Sequence, residues 1–196
     1  MVIVGITGGI GSGKTTIAKY MSTFGIPLYI ADEEAKALMN RSKVIKRKLI
    51  QLFGEEAYKN EELNRPYLAK KIFTDKSLLS QMNAIVHPKV ASHFKRWLKK
   101  QNAPYVLKEA AIIFENNLQD NYDYIITVIA DEELRRKRIM SRDNTNKEKI
   151  DAIIKNQWVD AKKIQLSDFV ITNNDLEKAK EEAIKIHKQL LKITSK

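Results

Sequence analysis

Residues Gly8-Gly9-Ile10-Gly11-Ser12-Gly13-Lys14-Thr15 satisfy G-x-x-x-x-G-K-[ST] at every position. The segments on either side narrow the fold further. Val2-Ile3-Val4-Gly5-Ile6 is an apolar run of strand length that leads straight into the glycines. Thr15 to Phe24 then sets Ile17, Ala18, Met21 and Phe24 at helical spacing and stops at Gly25. Strand, Gly-rich turn and helix form the setting in which this pattern binds phosphate. The glycines let successive backbone N–H groups curl around phosphate oxygens, and the helix N-terminus adds partial positive charge. In that setting Lys14 reaches the β- and γ-phosphates and the Thr15 hydroxyl faces Mg²⁺.

The rest of the chain reads as an elaboration of this unit. Strand-like runs recur at Val2–Ile6, Pro27–Ala31, Tyr105–Ala110, Tyr124–Ile129 and Phe169–Thr172, with helical patterns between them. Strands alternating with helices predict an α/β fold: a five-stranded parallel sheet flanked by helices and joined by right-handed crossovers. About seventy residues separate the second strand from the third, far more than a crossover needs. They read as helices over Glu33–Asn40, Lys43–Phe53, Arg65–Phe73, Asp75–Val86 and Pro88–Lys100, with Pro88 in a first turn after His87. The expectation is an all-helical insertion over 33–100 that leaves the sheet at its carboxyl edge, where α/β folds bind ligands. The nucleotide-binding core then comprises 1–32, 101–130 and 164–196.

Residues 131–163 form a smaller helical feature. Asp131 can cap a helix with Glu132 and Glu133 in its first turn. Arg135, Arg138 and Arg142 share one face of it at i, i+3 and i+7. The link Asp143-Asn144-Thr145-Asn146 leads to a second helix, where Thr145 and Glu148 have capping-box spacing. Ile150, Ile153, Ile154 and Trp158 supply its apolar stripe. A helical hairpin with an arginine face suits a phosphoryl-transfer lid, which neutralises charge on the moving group and excludes water that would hydrolyse ATP.

Composition excludes several classes. No apolar run approaches the roughly 18 residues of a membrane span, and with a strand reading from Val2 no signal peptide is expected. The absence of cysteine removes disulfides and thiolate chemistry, which fits a cytoplasmic protein. The formal charge of +11, concentrated in Arg41–Lys48, Lys95–Lys100 and Arg135–Arg142, suits either solvated helix faces or polyanionic ligands. No zinc spacing or RNA-binding signature accompanies it, so small phosphorylated ligands are expected and nucleic acid is not.

Among acidic residues, Asp32 directly follows the second strand. It is either the base that accepts the proton of an attacking hydroxyl or the N-cap of a helix starting at Glu33. Glu109 ends the third strand, where a carboxylate would hold Mg²⁺ through water or, alternatively, serve as a surface salt-bridge partner. Glu115 and Arg65 are each a substrate ligand or a surface charge, and His87 is a phosphate ligand or a helix cap.

Taken in order, these residues resemble the dephospho-CoA kinase family over most of the chain, from Gly5 to about Asn174. Gly5-Ile6-Thr7-Gly8-Gly9-Ile10-Gly11-Ser12-Gly13-Lys14-Thr15-Thr16 is similar to that family's phosphate loop. Ala31-Asp32-Glu33-Glu34-Ala35-Lys36 resembles its A-D-x-x-A-R element, and Leu63-Asn64-Arg65 with Phe73 resembles its L-D-R and later phenylalanine. His87-Pro88, Ile112-Ile113-Phe114-Glu115, Arg138, Arg142-Asp143, Gln157 and Ser167-Asp168-Phe169-Val170-Ile171-Thr172-Asn173 follow its later pattern. Lys36 stands for the usual Arg, Asn64 and Glu109 for Asp, Ala111 for Pro, and Arg135 for a common Gln. Lysine at position 36 replaces a bidentate fork by a point charge.

The resemblance implies a P-loop fold and transfer of the ATP γ-phosphate to the 3′-hydroxyl of dephospho-CoA. It implies catalysis by Asp32, Lys14 and Arg142, and ATP binding by Gly11, Ser12, Gly13, Lys14, Thr15, Thr16, Arg138 and Asn173. Dephospho-CoA would be held by Asp32, Lys36, Arg65, His87 and Glu115, and Mg²⁺ by Thr15 and, through water, Glu109. A monomer or weak homo-oligomer is expected. The nearest rival is another small-molecule P-loop kinase acting on a nucleoside or nucleotide. A GTPase would need N-K-x-D, and Asn146-Lys147-Glu148 lacks the aspartate.

Overall fold

The computed structural model describes residues 1–143, 150–151, 154–155 and 157–195. Two compact units result, one of Met1–Ile30 with Gln101–Lys196 and one of Ala31–Lys100.

In chain order the elements are β1 (Val2–Thr7), α1 (Lys14–Ser22), β2 (Leu28–Ile30), α2 (Ala31–Arg41), α3 (Lys43–Phe53), β3 (Tyr58–Lys59), β4 (Glu62–Leu63), α4 (Arg65–Thr74) and α5 (Ser77–Leu98). There follow β5 (Tyr105–Glu109), β6 (Tyr124–Ile129), α6 (Glu132–Asp143), α7 (Asp160–Gln165), β7 (Phe169–Thr172) and α8 (Leu176–Thr194). Short 3₁₀ turns lie at Glu55–Ala57 and Gln119–Asn121.

The first unit is a five-stranded parallel sheet in the order β2-β5-β1-β6-β7. The strands read as apolar runs because side chains cover both faces of the sheet. On one face Val4, Ile6, Ile126 and Ile171 pack with Ile17, Ala18 and Met21 of α1 and Ala179, Ala183, Ile186 and Leu190 of α8. Ile125, one residue from Ile126 and so on the opposite face, packs with Ile113, Phe114 and Trp158. With β1 central, the loop leaving it stands beside the ends of β5 and β6. Asp175 starts α8 by accepting the Lys178 N–H at 3.0 Å.

The second unit buries Leu38 of α2, Ile45, Leu49 and Phe53 of α3, Leu68 of α4 and Val86 of α5 around Ala57. Ser42 caps α3, and Asn64 caps α4 through the Tyr67 N–H at 3.4 Å. This unit departs from expectation in three places. It is not all-helical, since β3 and β4 form an antiparallel hairpin whose two-residue turn puts Asn60 and Glu61 at positive φ. Turns of that kind favour Asn-Gly, and Glu61 hides the signal. The two helices expected to divide at His87-Pro88 are one continuous helix, α5, with Pro88 inside it. Proline removes the N–H that would reach the Ala84 carbonyl, yet packing by Val86 and Phe94 on either side carries the helix through. Finally, α2 begins at Ala31, so Asp32 lies within the first turn and is not the cap of a helix starting at Glu33.

In the first unit, Trp158 falls outside any helix, because the chain is irregular from Gln157 until α7 begins at Asp160. The expected capping pair Thr145 and Glu148, and Ile153 of the expected stripe, lie outside the described residues. No described helix is long and apolar enough to cross a membrane.

Candidate active site

The glycine loop joins β1 to α1 and borders a cavity of about 320 Å³. Gly11, Gly13, Lys14, Thr15, Thr16, Arg138, Arg142 and Asn173 line it, together with Ile139 and Leu176. Most of the residues expected to bind ATP therefore meet in one place. Gly13 opens α1 at φ 87°, and a Cβ there would run into the Asn173 side-chain amide, so the position demands glycine twice over.

Lys14 Nζ lies 3.7 Å from Glu109 Oε1. Register brings them together: Ile6 of β1 pairs with Glu109 at the carboxyl end of β5. Glu109 is only 2% exposed, and a carboxylate so buried needs a cation or donors close by. Its charge also reaches Tyr122, whose hydroxyl pKa is pushed up first by burial and then by Glu109. Two strand positions from Gly5, Ile3 donates its N–H to Asp123 at 2.7 Å, holding the start of β6.

The three arginines expected to share one face of α6, Arg135, Arg138 and Arg142, divide. Arg138 borders the cavity, with Nη1 3.5 Å from the Gly11 carbonyl, and the exposed Arg142 borders it one turn later. Arg135 is instead 7% exposed. It donates from Nε to the Ile10 carbonyl at 2.9 Å and from Nη1 to Asp160 Oδ2 at 3.1 Å. Gln157 Oε1 accepts the Ile10 N–H at 2.8 Å. Helical spacing alone could not separate the buried Arg135 from Arg138 and Arg142, which border the cavity. The signal that was available is Asp160 at the head of α7, a carboxylate for that buried cation.

Asn173 follows β7 and donates its side-chain N–H to the Ser12 carbonyl at 2.7 Å. Among the described residues, its buried Oδ1 has no hydrogen-bond partner, and neither has the buried Ser12 hydroxyl. Glu115 is committed elsewhere: Oε1 accepts the Trp158 N–H at 3.0 Å and lies 2.7 Å from Nζ of the fully buried Lys163. Lys163, which nothing in the sequence pattern distinguished from its neighbours, anchors α7. The Trp158 ring stacks on Phe114 and also carries the Lys162 ammonium over it.

In the second unit Asp32 and Lys36 are exposed one turn apart on α2, and Arg65 is exposed at the first position of α4. His87 is exposed near the middle of α5. His93, two turns from His87, joins Arg41 and Glu34: Arg41 Nη2 is 3.0 Å from both Glu34 Oε2 and His93 Nε2.

The residues that would surround a metal are hard oxygen donors. Thr15 borders the cavity, and the Glu109 carboxylate lies 3.7 Å from Lys14 Nζ. That sparse set fits Mg²⁺, which takes few protein ligands and completes its shell with water and phosphate.

Residues 2–178 match the family model described as dephospho-CoA kinase. A dephospho-CoA kinase of Bacteroides fragilis is 39% identical over 172 residues, covering 87% of this chain and 84% of the relative. Among solved structures, TT1252 from Thermus thermophilus superposes with a TM-score of 0.85 at 30% identity, covering 94% of this chain and 95% of that one. The dephospho-CoA kinase from Campylobacter jejuni gives a TM-score of 0.71 at 23% identity, with 97% of each chain covered, and so shares the fold.

Proposed function

The chain belongs to the dephospho-CoA kinase family and is an ATP-dependent kinase, and we propose how its residues divide the work. The observation that carries the proposal is the cavity in which a complete phosphate loop meets Lys14, Thr15, Arg138, Arg142 and Asn173. It takes the ATP triphosphate. The backbone N–H groups of the loop and Lys14 Nζ bind the β- and γ-phosphates, while Arg138 and Arg142 neutralise charge on the transferring group from a closing lid over 131–163.

Asp32 orients the ribose 3′-hydroxyl of dephospho-CoA and accepts its proton as the new O–P bond forms and the β–γ bridging P–O bond breaks. Lys36, Arg65 and His87 bind the acceptor's charged groups from the helical unit. Glu115, already engaged with Lys163 and Trp158, serves the acceptor through the segment it holds. Mg²⁺ would be held by Thr15 and, through water, by Glu109, and when bound with ATP it supplies charge neutralisation at the phosphates. A cytoplasmic monomer or weak homo-oligomer completes the proposal.

A coupled ADP-release assay tests it, comparing dephospho-CoA with a panel of nucleosides and nucleotides. Dephospho-CoA is expected to be turned over with the new phosphate on the 3′-oxygen, as phosphorus NMR of the product would show. A nucleoside or nucleotide used with equal or greater kcat/KM would overturn it.

A further inference from the structure

The peptide groups of the glycine loop are held from behind in an alternating pattern. A trans peptide is planar, so its C=O and its N–H point in opposite directions, and the chain contains no cis bond among the described residues. Whatever grips one carbonyl therefore aims the next residue's N–H.

Arg135 Nε grips the Ile10 carbonyl at 2.9 Å, which turns the Gly11 N–H away from Arg135. Asn173 Nδ2 grips the Ser12 carbonyl at 2.7 Å and does the same for the Gly13 N–H. The amides that precede each of these, at Ile10 and Ser12, are occupied inside the protein. Ile10 N–H donates to Gln157 at 2.8 Å, and Ser12 N–H donates to the Gly9 carbonyl at 3.1 Å. Both Gly11 and Gly13 border the cavity.

We infer that Arg135 is a positioning residue for phosphoryl transfer. By holding the Ile10–Gly11 peptide, it aims the Gly11 N–H at the phosphates before ATP arrives. Asp160 is part of the device. Its Oδ2, 3.1 Å from Arg135 Nη1, keeps the buried guanidinium in one orientation. A Cβ on Gly9 would collide with that guanidinium, so Arg135 occupies the space beside the Gly9 backbone. The energetic reason is preorganisation: a donor already aimed at developing charge costs no reorientation during reaction. Arg138 and Arg142, on the same helix, stand at the cavity itself, so one helix both shapes the cradle and supplies charge to its contents.

This rests on the assignment of the cavity to ATP, and the experiments separate the two. In the unmutated chain, amide hydrogen exchange is followed with and without ATP. The Ile10 amide should be protected in both states, whereas the Gly11 and Gly13 amides should be protected only with ATP. Equal behaviour at Ile10 and Gly11 overturns the inference. No ATP binding by the unmutated chain removes the cavity assignment itself.

Arg135→Met removes the donor, and Arg135→Gln keeps an N–H that can reach a carbonyl. The Met variant should bind ATP about 10-fold more weakly and lose kcat by about 10²-fold, the scale of one misaimed oxyanion donor. The KM for dephospho-CoA should not move, and the Gln variant should stay within a few-fold of the parent. A Met variant with parental kinetics, or a Gln variant as impaired as the Met one, overturns the inference. Should the Met variant fail to fold, the exchange pattern of the parent still decides.

Discussion

The two units treat charge in opposite ways. In the sheet unit, Glu109, Arg135, Lys163 and Asn173 are buried, and each has a named partner. In the unit of residues 31–100 no polar or charged side chain is buried, and Asp32, Lys36, Arg65 and His87 are all exposed. Burying a charge is costly unless it is paired, so the sheet unit holds its polar groups in one arrangement before any ligand arrives. The helical unit builds its core from apolar residues alone and leaves its candidate ligands on the surface. Substitution in the first unit therefore disturbs both geometry and chemistry, while substitution in the second can remove chemistry and leave the fold alone.

Lys14→Ala should break the contrast most severely. Loss of the cation from the phosphate cradle is expected to lower kcat by about 10³-fold or more. Because Lys14 is also the cation 3.7 Å from buried Glu109, its removal should lower the melting temperature as well. Stopped-time ADP assays and thermal unfolding of the same preparation check both halves. Activity within a few-fold of the parent would take Lys14 out of the mechanism.

Asp32→Asn should give the opposite signature. A base contributes roughly 10²–10⁴-fold, so activity should fall by at least about 10²-fold. Asp32 is exposed in the first turn of α2, where losing a charge costs at most about 1 kcal/mol of helix-end stabilisation. Melting should therefore hardly change. A lowered melting temperature with activity kept would assign Asp32 to the helix and leave the base unidentified.

The same contrast decides what could be read from the sequence. The strands Tyr124–Ile129 and Phe169–Thr172 were legible to the residue, because each is a short, mostly apolar run. The loop Gly8–Thr15 was legible because its spacing is dictated by a ligand. Arg135 and Lys163 were not, since burial of a charge depends on partners supplied by Asp160 and Glu115, a tertiary fact that helical spacing does not carry. The hairpin at Tyr58–Leu63 was missed because its strands are two residues long and its turn lacks glycine. Pro88 misled for a related reason. Local preference says that a helix should begin there, and the packing of α5 overrides it. What the sequence conceals is thus mostly what one segment does to another.

Pro88 also offers a test of the helical unit by itself. Pro88→Ala restores the N–H for the Ala84 carbonyl inside α5 and removes an interior proline worth about 3 kcal/mol. The unfolded chain gains freedom, which returns about 0.4–1 kcal/mol. The balance is a stabilisation of about 2 kcal/mol, seen as a higher urea midpoint at unchanged slope. If the midpoint stays put, the backbone around the Ala84 carbonyl has already absorbed the missing N–H, and the interior proline costs this helix little.

The smallest effect belongs to the sheet unit and depends on pH. His187 on α8 lies 2.7 Å, Nδ1 to hydroxyl, from Tyr105 at the start of β5, and its ring packs 4.9 Å from Phe24. Burial lowers its pKa below the ordinary value of 6.5. Above that value the ring is neutral whether the chain is folded or unfolded, and titration contributes nothing to stability. As the pH falls below 6.5, the unfolded chain takes up the proton first, so folding is progressively penalised until the folded ring also protonates. The ring is partly solvated, which keeps the loss small. His187→Gln removes the titration and retains a group that can bond the Tyr105 hydroxyl. Between about pH 7 and pH 5 the parent should therefore lose more stability than the Gln variant, measured as the difference between their urea midpoints at each pH. Parallel curves would mean that Tyr105 and Phe24 accommodate the charged ring as well as the neutral one. The contact between α8 and the sheet would then be indifferent to proton binding, unlike the buried charges that hold the phosphate loop.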